Sequence, residues 1–163
     1  VAVQHALLGQ PELNKTFDGE RITSITGQPV SLAVATENHV VFAPVVQATV
    51  EMPFAELVAQ TRDLIGRTRA GQIRAEDAAP AAITISNLGM YGVSAFTAMV
   101  TPPQVMVLSV GAIRRVPAFD AQGAVVAQSI MTLTLGSDHR VINGAQAATF
   151  LSAIAKWLQQ VSS

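Results

Sequence analysis

The sequence predicts an α/β domain in which helices pack on a mixed β-sheet. Short apolar runs rich in β-branched residues, typical of strands, alternate with segments whose apolar residues recur every three or four positions, typical of helices. Half of the 163 residues are hydrophobic and only 13% are charged, against roughly 25% in an average soluble domain. A chain of this length and composition forms one domain with a substantial core.

The first part of the chain predicts two helices separated by a hairpin. Residues 1–8 are helical in pattern, and Gly9 with Pro11 marks the end of that helix. No initiating Met or capping residue precedes it, so we expect the upstream part of a longer helix to be missing. Residues 30–46 predict a hairpin with Glu37 and Asn38 at its turn. Pro53 begins a second helix, which ends near Gly71 and has the predicted buried side Phe54, Leu57, Val58, Leu64 and Ile65.

Strands and turns dominate the second half. Residues 83–86 predict a short strand, and the glycines of the following loop, residues 87–92, are interpreted as turn residues because no Lys accompanies them as in a phosphate-binding loop. Residues 104–110 are apolar enough for a central strand. A tight turn over residues 120–123 separates two more strands, residues 116–119 and 124–135. The chain ends in an amphipathic helix with the apolar stripe Ala147, Phe150, Leu151, Ile154, Leu158 and Val161.

The distribution of charge excludes several classes of function. Residues 83–113 contain no Asp, Glu, Lys, Arg or His, which favours a large subunit interface over a large core alone. Glycines and prolines interrupt this segment, so it does not predict a membrane span. The net charge of −1 gives no electrostatic basis for binding nucleic acid or an anionic membrane. There is no cysteine, and the three histidines are scattered, so the sequence predicts no metal site.

His139 is the main candidate for a functional residue. It lies in the loop of residues 137–144, between a strand and the last helix, where a side chain is accessible yet held by rigid elements. A lone histidine at such a junction is more often structural. Asn143 is predicted as the N-cap of the last helix, and Ser86 taken alone is a strand-end hydroxyl that satisfies backbone. His5 and His39 are interpreted as ordinary residues.

Three sequence blocks resemble the dihydrolipoyl acyltransferases, the core components of 2-oxo acid dehydrogenase complexes. Residues 138–145, Asp-His-Arg-Val-Ile-Asn-Gly-Ala, resemble the His-x-x-x-Asp-Gly signature of that family. Residues 83–92, followed by Phe-Thr-Ala at 96–98 and Pro-Pro-Gln at 102–104, are similar to a second block, and residues 30–45 to a third. The blocks occur in the family's order and spacing along essentially the whole chain.

The resemblance implies a chloramphenicol acetyltransferase-like fold, a trimer or larger core, and transfer of an acyl group, acetyl by the similarity of residues 86–97, between dihydrolipoamide and coenzyme A. It implies His139 as general base and Ser86 of a neighbouring subunit as oxyanion stabiliser. Residues 1–163 are then a partial catalytic domain that lacks its upstream part and the lipoyl and subunit-binding domains. The implied partners are the 2-oxo acid decarboxylase and dihydrolipoamide dehydrogenase, and the implied compartment is the bacterial cytoplasm or the mitochondrial matrix.

Asn143 departs from the signature, which has Asp at this position. An amide caps a helix as well as a carboxylate does, but it carries no charge to orient a neighbouring cation. The departure leaves open a second interpretation, a non-catalytic relative that serves as scaffold or docking component. A free O-acetyltransferase of the chloramphenicol type is a third.

Overall fold

The structure is a computed structural model that describes residues 1–37 and 40–161. The helices are α1 (Ala2–Gly9), α2 (Phe54–Arg69) and α3 (Gly144–Val161). The strands are β1 (Lys15–Phe17), β2 (Ile22–Ser24), β3 (Val30–Leu32), β4 (Val34–Ala35), β5 (Val41–Phe42), β6 (Val45–Val46), β7 (Ile83–Asn87), β8 (Met106–Val110), β9 (Arg114–Phe119), β10 (Val125–Ile130) and β11 (Leu133–Ser137).

A five-stranded mixed sheet with the order β11-β8-β7-β3-β6 organises the fold. Strands β3, β7 and β8 are parallel, and β6 and β11 pair antiparallel at the two edges. The mixed sheet and the interior position of β8 confirm the sequence-based predictions. Three antiparallel pairs, β1–β2, β4–β5 and β9–β10, lie outside this sheet.

The two faces of the sheet differ because apolar and small polar residues alternate along its strands. In β7, Ile83 and Ile85 belong to the main core, whereas Thr84 and Ser86 point to the opposite face. Helices α1 and α3 cover the core face with side chains that include Leu7, Phe150 and Ile154, all at most 1% exposed. The other face carries Ser31, Thr84, Ser86, Val107, Ser109 and Gly136. It is therefore lined by small and hydroxyl-bearing residues.

Residues 93–103 lie against this polar face. The Ala98 N–H donates to the Oγ of Ser109, which is 2% exposed, at 3.0 Å. The Ala112 N–H donates to the Val93 carbonyl at 2.8 Å. A Cβ placed on Gly111 would lie 2.1 Å from the Ser94 carbonyl oxygen, so only glycine permits this close approach. The segment is thus fixed at Ser109 within β8 and at Gly111 and Ala112, directly after this strand.

The predicted hairpin over residues 30–46 is partly wrong. Strand β3 pairs with β6 inside the main sheet, while β4 and β5 form a separate small hairpin. Pro44 lies between β5 and β6 and has no N–H to donate, which interrupts the ladder. Asn38 of the predicted turn, like His39, lies outside the described residues.

The predicted continuous strand over residues 124–135 is also wrong. It is divided into β10, which pairs with β9, and β11, which pairs with β8. The chain changes partner at Thr132, whose carbonyl accepts the Gly111 N–H at 3.0 Å. The turn at residues 120–123 is confirmed: the Asp120 carboxylate accepts the N–H groups of Gln122 and Ala124, and Gly123 has a φ of 82°.

The three predicted helices are confirmed, with one correction to their buried faces. Phe54, predicted to be buried, is 73% exposed, because the residue near the start of α2 that packs against the cluster of Val46, Ala48 and Leu64 is Leu57 and not Phe54. Leu64 is buried and Leu57, Val58 and Ile65 are half-buried. At the other end of the chain, Val161 in the last turn of α3 is 66% exposed. None of the helices in the described ranges has the length and apolar character needed to span a membrane.

Candidate active site

His139 lies in a tight turn that joins β11 to α3. The Asp138 N–H donates to the Val105 carbonyl at 2.9 Å, which extends the β11–β8 ladder by one residue. The Asp138 carbonyl then accepts the N–H groups of Val141 and Ile142, both at 3.0 Å. His139 is the first residue inside this turn, and its side chain is exposed. The loop therefore presents an accessible imidazole on a backbone that is fixed on both sides.

The residues on either side of His139 form an ion pair. The Asp138 carboxylate accepts hydrogen bonds from Nε and Nη2 of Arg140, the latter at 2.7 Å, and also from the Arg140 backbone N–H at 3.0 Å. These bonds, the guanidinium first, hold the pKa of Asp138 below its ordinary value. The guanidinium carbon of Arg140 lies 4.5 Å from the centre of the Phe17 ring, a cation–π contact.

Asn143 is the N-cap of α3, as predicted. Its Oδ1 accepts the Gln146 N–H at 2.9 Å, and Oε1 of Gln146 accepts the Asn143 N–H at 3.1 Å. This reciprocal pair is a capping box with amides at both positions. Asn143 therefore has a structural role that needs no charge.

Ser86 lies on β7, one residue before its end, and is half-buried. It lines a cavity of about 600 Å³ whose wall is mostly alanine and proline, together with Thr84 and Gln104. Thr84 donates through its hydroxyl to Oε1 of Gln104, and Nε2 of Gln104 donates to the Ser31 Oγ at 2.8 Å. This partly buried chain of polar groups joins β3, β7 and the segment that leads into β8, at the wall of the cavity.

The sheet register separates Ser86 from His139 within one chain. Ser137 is in register with Met106, and Met106 with Ile83, so β11 reaches the start of β7 while Ser86 lies three residues further on. With strands about 4.8 Å apart and about 3.3 Å per residue, the Cα atoms of Ser86 and Ser137 are roughly 14 Å apart. Beyond Ser137 the chain runs further from Ser86. The structure thus brings His139 and Asn143 together in one loop and leaves Ser86 at the opposite end of the sheet.

Comparison with known proteins assigns the family. The model of the family described as 2-oxoacid dehydrogenases acyltransferase (catalytic domain) matches residues 1–163. The chain belongs to this family. The predicted resemblance is therefore confirmed. The mitochondrial dihydrolipoyllysine-residue acetyltransferase component of the pyruvate dehydrogenase complex of Schizosaccharomyces pombe is 36% identical over 160 residues, which are 97% of this chain and 33% of that protein. The chain spans about a third of the length of such relatives.

Solved structures of the same family share the fold. Dihydrolipoamide acetyltransferase of Azotobacter vinelandii matches with a TM-score of 0.88 and 28% identity, over 98% of this chain and 66% of that chain. Crystallographic and enzymatic work on that protein concerns the role of a serine, a histidine and an asparagine in its catalytic mechanism. The cubic core of the pyruvate dehydrogenase multienzyme complex matches with a TM-score of 0.84 and 29% identity, over 96% of this chain and 66% of that chain.

A chloramphenicol acetyltransferase matches with a TM-score of 0.56 and 16% identity, over 96% of this chain and 74% of that chain. At this identity the likeness concerns the fold alone, and it confirms the predicted fold.

Sequence reasoning did not identify the partners of the site residues. Gln104 is predicted as the first residue of a central strand and as part of the Pro-Pro-Gln block, but its hydrogen bonds to Thr84 and Ser31 are not predicted, although a polar side chain beside a buried strand indicates internal partners. The Asp138–Arg140 pair was visible in the signature, but the ring of Phe17 is more than a hundred positions away in the sequence. In the described part of the chain, no three His, Asp or Glu side chains come together as a metal site would require.

Proposed function

We propose that this domain transfers an acyl group, acetyl in the first instance, between dihydrolipoamide and coenzyme A within the core of a 2-oxo acid dehydrogenase complex. The supporting observation is the set of Ser86, His139 and Asn143 on the fold of the family. In the Azotobacter vinelandii enzyme the serine precedes the histidine by 52 residues and the asparagine follows it by four. Here the separations are 53 and four.

Acyl exchange between two thiols needs a base and a donor to the oxyanion. A thiol with a pKa near about 8.5 lies about two units above an ordinary imidazole, so a neutral histidine is a workable base. His139 takes the proton from the incoming thiol, whose sulfur forms a bond to the acyl carbonyl carbon. The Ser86 hydroxyl donates to the resulting oxyanion. Collapse breaks the bond to the leaving sulfur, which receives the proton from His139.

Asn143 does not argue against activity. The Azotobacter vinelandii acetyltransferase has an asparagine at the matching distance from its histidine, among the residues studied for its catalytic mechanism. In this chain Asn143 caps α3 and so fixes the end of the loop that carries His139. We assign it a role in positioning that loop, and the scaffold interpretation becomes an outcome of the assay below.

The separation of Ser86 and His139 favours active sites formed between subunits. Each protomer then contributes His139 to one site and Ser86 to the next, in a trimer or a larger core. The substrates are coenzyme A and a lipoyl group carried on a separate domain. The partners are the decarboxylase and the dihydrolipoamide dehydrogenase of the complex, in the bacterial cytoplasm or the mitochondrial matrix.

The first test measures acetyl transfer from acetyl-coenzyme A to dihydrolipoamide. We expect His139→Ala to lower kcat by about 10²–10⁴-fold, since it removes the general base. Ser86→Ala should lower kcat by about 10²–10³-fold, since it removes one oxyanion donor. Asn143→Asp should retain the cap and at least comparable activity. A wild-type chain that is folded but without activity would support the scaffold interpretation instead.

The second test distinguishes sites between subunits from sites within one chain. His139→Ala and Ser86→Ala chains are unfolded together at equal amounts and refolded as a mixture. If sites form between neighbours, about a quarter of them regain both wild-type residues and activity returns in that proportion. If each site lies within one chain, no chain carries both residues and the mixture stays as inactive as its components.

A further inference from the structure

We propose that Asp138, Arg140 and Phe17 form a clip that positions His139, with Arg140 as the central positioning residue. The inference deepens the proposed function and rests on it, because it assigns to these three residues the orientation of the base at the same site. We use the word clip for these three side chains.

The clip fixes the backbone on both sides of the histidine. Asp138 is tied to β8 through Val105, and its carboxylate accepts the N–H of Arg140 across His139. The Arg140 side chain returns to the same carboxylate through Nε and Nη2, at 3.0 and 2.7 Å. Asp138 and Arg140 therefore bind each other, and His139 is the residue between them.

Phe17 anchors the clip to a second element. Its backbone N–H donates to the Pro103 carbonyl at 2.7 Å, and its side chain packs against the main core. The guanidinium lies over the ring at 4.5 Å. Arg140 thus connects the histidine turn to β1 and, through β1, to the Pro-Pro-Gln segment at the start of β8.

The exposure of Arg140 argues for a role of its ion pair in positioning rather than in stability. The Arg140 side chain is 64% exposed, and exposed ion pairs contribute little to folding. Three hydrogen bonds between the Arg140 and Asp138 side chains and the contact with the Phe17 ring nevertheless restrict the conformation of the turn that carries His139. Catalysis is sensitive to such restriction, since a displacement of about 1 Å at a reacting group costs on the order of 100-fold in rate.

Arg140→Lys is the decisive variant, because lysine keeps the positive charge but loses the fork that binds the carboxylate. We expect kcat for acetyl transfer to fall about 10-fold or more, with KM for both substrates within about twofold. Phe17→Leu keeps an apolar side chain but removes the aromatic ring, and it should also lower kcat. Asp138→Asn keeps an acceptor for the Arg140 N–H and should lower kcat less than Asp138→Ala. The matched control is Arg74→Lys, since Arg74 is 60% exposed and pairs with Glu76 two residues away.

Two further measurements separate this inference from other outcomes. In a His139→Ala background, Arg140→Lys should not lower the residual rate further, because the clip acts through the imidazole. Hydrogen exchange at the amides of Val141 and Ile142 should accelerate in Arg140→Lys and not in Arg74→Lys. An unchanged kcat in Arg140→Lys would overturn the inference. If KM for coenzyme A also rose, Arg140 would instead be a substrate-binding residue. The exchange result stands even if the wild-type chain proves inactive, so failure of the clip and failure of the proposed function are distinguishable.

Discussion

Asp77 shows how a single buried carboxylate links the folding of this chain to pH. Its side chain is 5% exposed and accepts hydrogen bonds from both terminal nitrogens of Arg67 and from the Arg74 backbone N–H. The Arg67 guanidinium holds the pKa of Asp77 below its ordinary value. A carboxyl whose folded pKa is depressed stabilises the fold above its unfolded pKa of about 3.9, and that stability is lost as pH falls through the folded pKa.

We therefore expect Asp77→Asn to lower the free energy of unfolding at pH 7 by about 2–3 kcal/mol, because charge-assisted bonds are lost at a buried site. Below pH 4 the deficit relative to wild type should shrink, since protonation removes the same charge from Asp77. Urea unfolding at pH 7 and at pH 3 measures both quantities. Glu76→Gln, at an exposed pair, is the control and should change stability by less than about 0.5 kcal/mol. An equal deficit at both pH values would contradict the assignment.

The residues of the candidate site were predictable to different degrees. His139 lies in the signature block, Ser86 lies in the second block that resembles the family, and Asn143 occupies the position where the signature has Asp. Their supports were not predictable, because Gln104 reaches Ser31 and Arg140 reaches Phe17 through contacts between residues distant in sequence. Local pattern indicates the type of residue at a site, whereas tertiary packing decides which neighbours hold it.

At the scale of elements, Gly111 fixes the segment of residues 93–103 against β8. Any side chain there would meet the backbone of Ser94 at 2.1 Å, so the segment must move away from the polar face. We expect Gly111→Ala to destabilise the fold by about 1–3 kcal/mol and to lower activity, since Ser86 lies on that face. Gly66→Ala is the control: Gly66 lies within α2 with open space around it, and alanine should stabilise the helix by about 1 kcal/mol. Thermal unfolding of both variants measures the contrast, and equal shifts in Tm would refute it.

Changes of pairing partner explain where the prediction of strands failed. The helices were placed correctly because their period of three to four residues extends over several turns. Strand limits were missed at β3–β4 and at β10–β11, where alternation continues across a change of pairing partner. Pro44 gives a local signal for the first interruption. The second depends on the Gly111–Thr132 hydrogen bond, which no local pattern indicates.

At the scale of the whole molecule, the segment of residues 83–113 without charge divides into two parts. Strands β7 and β8 are largely buried in the sheet, but Tyr91, Met99 and Ile113 are 73%, 88% and 72% exposed. Large apolar side chains exposed on one chain are typical of surfaces that another subunit covers, so we expect a subunit contact here. The exposed apolar side chains and the sheet register are separate observations, and both support the proposed active sites between subunits.

We expect the protein to form a stable trimer or a multiple of it, and Met99→Glu and Ile113→Glu to weaken association by at least about 100-fold, since each would place an unpaired charge in an apolar contact. Phe54→Glu is the control, because Phe54 is 73% exposed on α2, outside the uncharged segment, and should leave assembly unchanged. Sedimentation velocity over a range of concentrations gives the association state. Acetyl transfer measured on the same samples should fall in proportion to dissociation, because a separated protomer holds its Ser86 and His139 at opposite ends of one sheet. Full activity in a variant shown to be monomeric would exclude an active site shared between subunits.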